Sequence, residues 1–113
     1  MIQVKYGEIP KENFCNYFHF LIGRTYKILP MKEENCETLK SYLEGYQREL
    51  LGSQHLFELL VKEPMFISIL NTIQFLIAEE YSIETCKKEV FKCIRMFKAI
   101  NKKYFQKEDG ENV

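Results

Sequence analysis

The chain has 113 residues, of which 46% are hydrophobic and 28% charged, with five Gly, three Pro and a formal net charge of zero. That length suits one domain that closes its own core without covalent staples, and the composition excludes a chain disordered throughout. So few Gly and Pro leave little room for a fold of many short strands and tight turns.

Residues 1–9 alternate Ile2, Val4 and Tyr6, the pattern of a short strand, but no partner strand is evident. An N-terminal arm packed on the rest is expected. Pro10 suits a first helical turn, and a helix is predicted from there to residue 28, with Phe14, Phe18, Leu21, Thr25 and Ile28 on one face. Leu29-Pro30 is expected to end it, because proline disfavours helical geometry at the preceding residue. Asn35 is placed to cap the next helix and Glu37 to favour its dipole, with Leu39, Leu43, Tyr46 and Leu50 as a seam and Gly52 as the residue past its end. A short helix over residues 54–62 would present Leu56, Phe57, Leu60 and Val61.

Pro64 opens the next predicted helix, which runs to residue 80 and carries its main face on Phe66, Ile69, Leu70, Ile73, Leu76 and Ile77. Ser82 caps the last, over residues 83–105, with Cys86, Val90, Cys93, Ile94, Phe97, Ile100 and Tyr104 facing inward. The expected fold is all-α: an antiparallel up-and-down bundle of four main helices plus one short helix over residues 10–106. Residues 107–113 are read as a disordered acidic tail.

Charge is unevenly placed. Residues 31–85 hold ten acidic and four basic side chains, a net of −6, whereas residues 86–107 hold eight basic and one acidic, a net of +7. On the last helix Lys88, Lys92, Arg95, Lys98 and Lys102 lie opposite the apolar face, with Lys87 and Lys103 beside them and Phe91 on the same outer side. An aromatic among cations suits nucleic acid, stacking on a base while the cations hold phosphates. The plainer reading is a solvated lysine face with Phe91 covered by the N-terminal arm. A third is contact with the acidic surface of another protein or of a second copy.

Ile67 and Phe75 fall outside the main face of their helix, and with Phe20 on the first helix they are candidates for an exposed apolar interface. The alternative is that the short helix over residues 54–62 covers them.

The two histidines, His19 and His55, have no sequence-local thiol, hydroxyl or acid that marks a site. Cys36 lies near a predicted helix N-terminus, which lowers a thiol pKa, but Glu37 opposes that. Residues 33–37 are acidic without EF-hand spacing, and no P-loop, dinucleotide or zinc-protease motif occurs. Cys15, Cys36, Cys86 and Cys93 form no C-x-x-C pair and fit no zinc spacing. No catalytic residue, metal ligand, cofactor or small-molecule substrate is assigned, and an enzyme with a Cys/His site is the weakest of the readings. Residues 1–7 do not read as a signal peptide, and the apolar run over residues 66–77 is broken by Ser68, Asn71, Thr72 and Gln74, so no membrane association is expected. A reducing cytoplasm with the thiols as small buried hydrophobes is the expected setting.

Residues 26–34 (YKILPMKEE), 49–52 (ELLG) and 90–94 (VFKCI) resemble, in order and spacing, small all-helical proteins of phages and integrated mobile elements of Gram-positive bacteria. The resemblance spans residues 20–100. It implies a bacterial cytoplasmic setting and an accessory role, and it carries over no functional residue. The combined expectation is a non-catalytic protein-interaction module that associates with itself as a homodimer, with nucleic-acid binding as the competing class.

Overall fold

The computed structural model describes residues 1–106. A small hairpin, β1 (Ile2–Val4) and β2 (Gly7–Ile9), precedes six helices: α1 (Lys11–Tyr26), α2 (Ile28–Glu33), α3 (Leu39–Leu56), α4 (Glu58–Val61), α5 (Pro64–Ala78) and α6 (Ile83–Asn101). Lys102–Gln106 continues α6 as a π-helical turn. The expected acidic tail lies outside the described residues.

The four long helices α1, α6, α5 and α3 are neighbours in that order. Hydrogen bonds from α3 to α1, Tyr42 to the Arg24 carbonyl and Tyr46 to the Leu21 carbonyl, close the ring. Each neighbouring pair runs antiparallel. Cys15 meets Asn101 and Phe18 meets Phe97 between α1 and α6. Tyr17 meets Ser53 and Thr25 meets Tyr46 between α1 and α3. Thr72 meets Cys93 between α5 and α6. This is the expected all-α, up-and-down bundle. Among the described residues no helix is long and apolar enough to cross a membrane.

The core follows the predicted faces. Phe14, Phe18, Leu21, Thr25 and Ile28 are all fully buried, as are Cys86, Val90, Cys93, Phe97 and Ile100 on α6. Thr25 is tolerated there because its hydroxyl bonds the Leu21 carbonyl at 2.8 Å and the Tyr46 phenol at 2.7 Å. Burial pushes the Tyr46 phenol well above its ordinary range. Ser82 caps α6 as expected, accepting from the Thr85 N–H at 3.2 Å.

The connections depart from expectation at four places. Residues 1–9 form a hairpin with its own partner strand, Ile2 pairing with Ile9 and Val4 with Gly7. Gly7, with φ +151°, takes a backbone that other residues rarely adopt and so permits the reversal. The hairpin docks on Phe57: Val4 bridges to it, and the Lys5 N–H donates to the Leu56 carbonyl at 3.0 Å. Pro30 lies inside a helix, because α1 stops at Tyr26 and Pro30 occupies the first turn of α2, where a missing N–H costs nothing.

Asn35 ends α2 and caps nothing. It has φ +53°, its N–H bonds the Lys32 carbonyl, and the Cys36 N–H bonds the Met31 carbonyl, the two bonds of a Schellman turn. Thr38 is the residue before α3. Finally, α3 runs through Gly52 to Leu56 and breaks at Phe57, whose extended backbone serves the hairpin and whose buried ring packs edge-on against Phe14. The short helix shrinks accordingly to α4, leaving Leu56 and Val61 exposed.

Candidate functional site

The proposed interface residues do not share one patch. Phe20 on α1 is 53% exposed and stacks on Tyr17 at 6.2 Å, part of an aromatic group with Phe57 near the hairpin. Ile67 and Phe75 lie on α5, diagonally across the ring from α1. Phe75 is half-buried, its ring 5.8 Å from that of Tyr81, so the loop before α6 covers it in part. Ile67 remains 43% exposed, so α4 does not cover it.

What α5 shows instead is an absence of charge along its whole length. None of its fifteen residues is Asp, Glu, Lys, Arg or His. Ile67, Asn71, Gln74 and Ala78 are all exposed and recur at spacings of four, three and four, a stripe along its outer side. Ser68 and Phe75 flank it, half-buried, and Gln74 is held by the Gln47 amide of α3 at 2.6 Å. The sequence carried this signal, but a search for surplus apolar residues passes over Asn and Gln.

The basic face of α6 survives only in part. Lys92 pairs with Glu89 at 3.0 Å, Lys87 lies 3.9 Å from Glu33, and Lys103 pairs with Glu63 at 2.9 Å. Lys88, Arg95, Lys98 and Lys102 are exposed, with no carboxylate in ion-pair range among the described residues. Phe91 is 41% exposed; the N-terminal hairpin sits elsewhere, and the neighbour of Phe91 is Tyr26, edge-on at 6.2 Å.

Lys103 lies over Glu63, the one carboxylate residue buried among the described residues. Burial alone would raise the Glu63 pKa. Hydrogen bonds from Tyr104, Lys103 and the Met65 N–H outweigh that and hold it below the usual carboxylate range. The same carboxylate therefore caps α5 and fastens the π turn.

Between α1 and α6 lies a cavity of about 300 Å³ lined by His19, Ile22, Lys98, Asn101 and Lys102. Asn101 is only 7% exposed. Its amide nitrogen meets the Cys15 sulfur at 3.3 Å and its carbonyl oxygen has no partner. Periodicity passed over both His19 and Asn101. The available signal was a polar residue directly after Ile100 on the inward side of α6.

His55 receives a hydrogen bond from Lys5 at 3.0 Å on the surface. Among the described residues no group of three or more His, Cys, Asp or Glu is placed to share a metal ion. Burial raises the Cys86 thiol pKa and pushes that of Cys93 up to about 12, which suppresses thiolate chemistry at both. Comparison with protein-family models, with curated proteins and with solved structures finds no match to this chain.

Proposed function

We propose that this chain is a non-catalytic protein-interaction module whose contact surface is the outer side of α5, with a second copy of itself as the simplest partner. One observation carries the reading: α5 is a peripheral helix of the bundle, yet it has no charged side chain. A helix that keeps one side in water ordinarily carries charge there. Interface cores are depleted in charge, because desolvating an unpaired ion is costly. Ile67 and the flanking Phe75 supply apolar area, while Asn71 and Gln74 supply hydrogen bonds that fix register. The resemblance to phage and mobile-element proteins adds the setting, an accessory protein of the bacterial cytoplasm. Sedimentation velocity over a range of concentrations tests the self-association. A dimer that Ile67→Glu converts to monomer is expected, and a concentration-independent wild-type monomer would remove the homodimer.

A second reading rests on the other side of the bundle. Lys88, Arg95, Lys98 and Lys102 have no carboxylate partner among the described residues and share α6 with the exposed Phe91, whose ring meets Tyr26, an arrangement that suits a nucleic-acid strand. Lys92 contributes less, being held by Glu89. Fluorescence anisotropy with labelled DNA and RNA at low and high salt decides it, and no binding at low salt would end it.

A further inference from the structure

The geometry points to the α1–α6 cavity as a site for a single phosphate group. Lys98 and Lys102 are one turn apart and both line it, and like charges at that spacing repel. No carboxylate among the described residues relieves them. Lysines near the end of a helix are favoured by its dipole, which accounts for their presence on α6. It does not account for His19 facing them from α1, nor for the buried Asn101 with half of its amide unused.

The amide has the same shape either way round. Turned over, its oxygen accepts from the Cys15 thiol, and its N–H₂ becomes the unpartnered group of a buried side chain that lines the cavity. Two lysines, a histidine and an amide then line one space. That set is dominated by donors and carries two ammonium charges, which suits an oxyanion. The volume, about 300 Å³, lies at the small end of ligand sites, which run from about 300 to 1,000 Å³. Ile22 forms an apolar part of the wall.

A phosphate can arrive free or at the end of a nucleic-acid strand, and the experiment has an arm for each. Titration calorimetry with inorganic phosphate is run on the wild type, on Lys98→Gln/Lys102→Gln and on Lys62→Gln, which removes an exposed lysine outside the cavity. All three substituted lysines are exposed, so the variants are expected to fold. The second arm compares matched oligonucleotides with and without a 5′ phosphate. Saturable phosphate binding is expected, weakened roughly tenfold or more in the double variant and unchanged in Lys62→Gln. A 5′-phosphate preference that the double variant loses would identify a strand end as the source, and its absence would identify the free anion. No phosphate binding by the wild type, or an equal loss in Lys62→Gln, would overturn the site.

Discussion

Tyr104 donates its phenolic proton to Oε1 of Glu63 across 2.7 Å, tying the turn after α6 to the start of α5. Glu63 also accepts from Lys103 and from the Met65 N–H, and its side chain is 1% exposed. The folded-state pKa is depressed, so the stabilisation is complete above the ordinary Glu range and fades as pH falls through the lower folded value. Glu63→Gln is expected to lower stability at neutral pH by about 1–3 kcal/mol and to flatten the acid limb of a stability-versus-pH curve. Tyr104→Phe should act in the same direction at smaller size. Urea unfolding from pH 3 to 7 reads both, and an unchanged acid limb in Glu63→Gln would show that the clamp is not what titrates.

Asn35 tests the end of α2. Its φ of +53° is one that glycine adopts freely and alanine resists. Asn35→Gly is expected to be neutral or slightly stabilising, and Asn35→Ala to cost about 1 kcal/mol. An N-cap role would give a different pattern, with Gly only a few tenths of a kcal/mol worse than Asn and Ala worse by a similar amount to that predicted here. The sign of Asn35→Gly therefore decides between them.

That ambiguity shows what the sequence could reveal. The core was legible because burial follows helical periodicity, and Phe14, Phe18, Cys86 and Phe97 fall where spacing puts them. The junctions were not, because Asn serves both ends of a helix and Pro is harmless in a first turn, so Asn35 and Pro30 each permit two structures. The spacing places Phe57 on the apolar face of a short helix, and nothing local in the sequence shows that its backbone meets Val4 from a distant hairpin. The cavity was missed for a related reason: His19 and Lys98 become neighbours only when α1 and α6 pack.

Tyr46 is the largest fully buried side chain among the described residues, and its hydroxyl is shared between Thr25 and the Leu21 carbonyl. Tyr46→Phe removes one donor, but Thr25 already lies 2.8 Å from the same carbonyl and keeps it satisfied. The expected cost is therefore only about 0.5–1.5 kcal/mol. Tyr46→Ala also empties the ring's space and should cost about 3–5 kcal/mol, by analogy with other large aromatic truncations. Denaturant melts of the two variants give the comparison, and equal costs would mean that the ring contributes nothing beyond its hydroxyl.

The four cysteines divide by position. Cys15 and Cys36 are half-buried, whereas Cys86 and Cys93 are buried with raised thiol pKa values. In native protein a thiol-selective reagent is expected to modify Cys15 and Cys36 first, with Cys86 and Cys93 following only as fast as the bundle opens. Mass spectrometry of quenched time points assigns the sites. Early modification of Cys93 would contradict the packing of α6 against α5.

The α5 surface makes the sharpest demand on the proposed function, because stability and association separate there. Ile67 and Ala78 are exposed, so Ile67→Glu and Ala78→Arg should each change unfolding stability by no more than about 0.5 kcal/mol. Both place a charge on the stripe, and burying it unpaired against a partner should abolish the dimer. Phe20→Glu supplies the control. Phe20 is as exposed as Ile67 but belongs to the diagonal helix, so its replacement should leave association intact. Sedimentation equilibrium on the three variants, with matched thermal melts, distinguishes a stripe-specific contact from general stickiness of exposed apolar side chains. If Phe20→Glu dissociates the dimer and Ile67→Glu does not, the contact surface lies on α1 and the lack of charge on α5 has another cause.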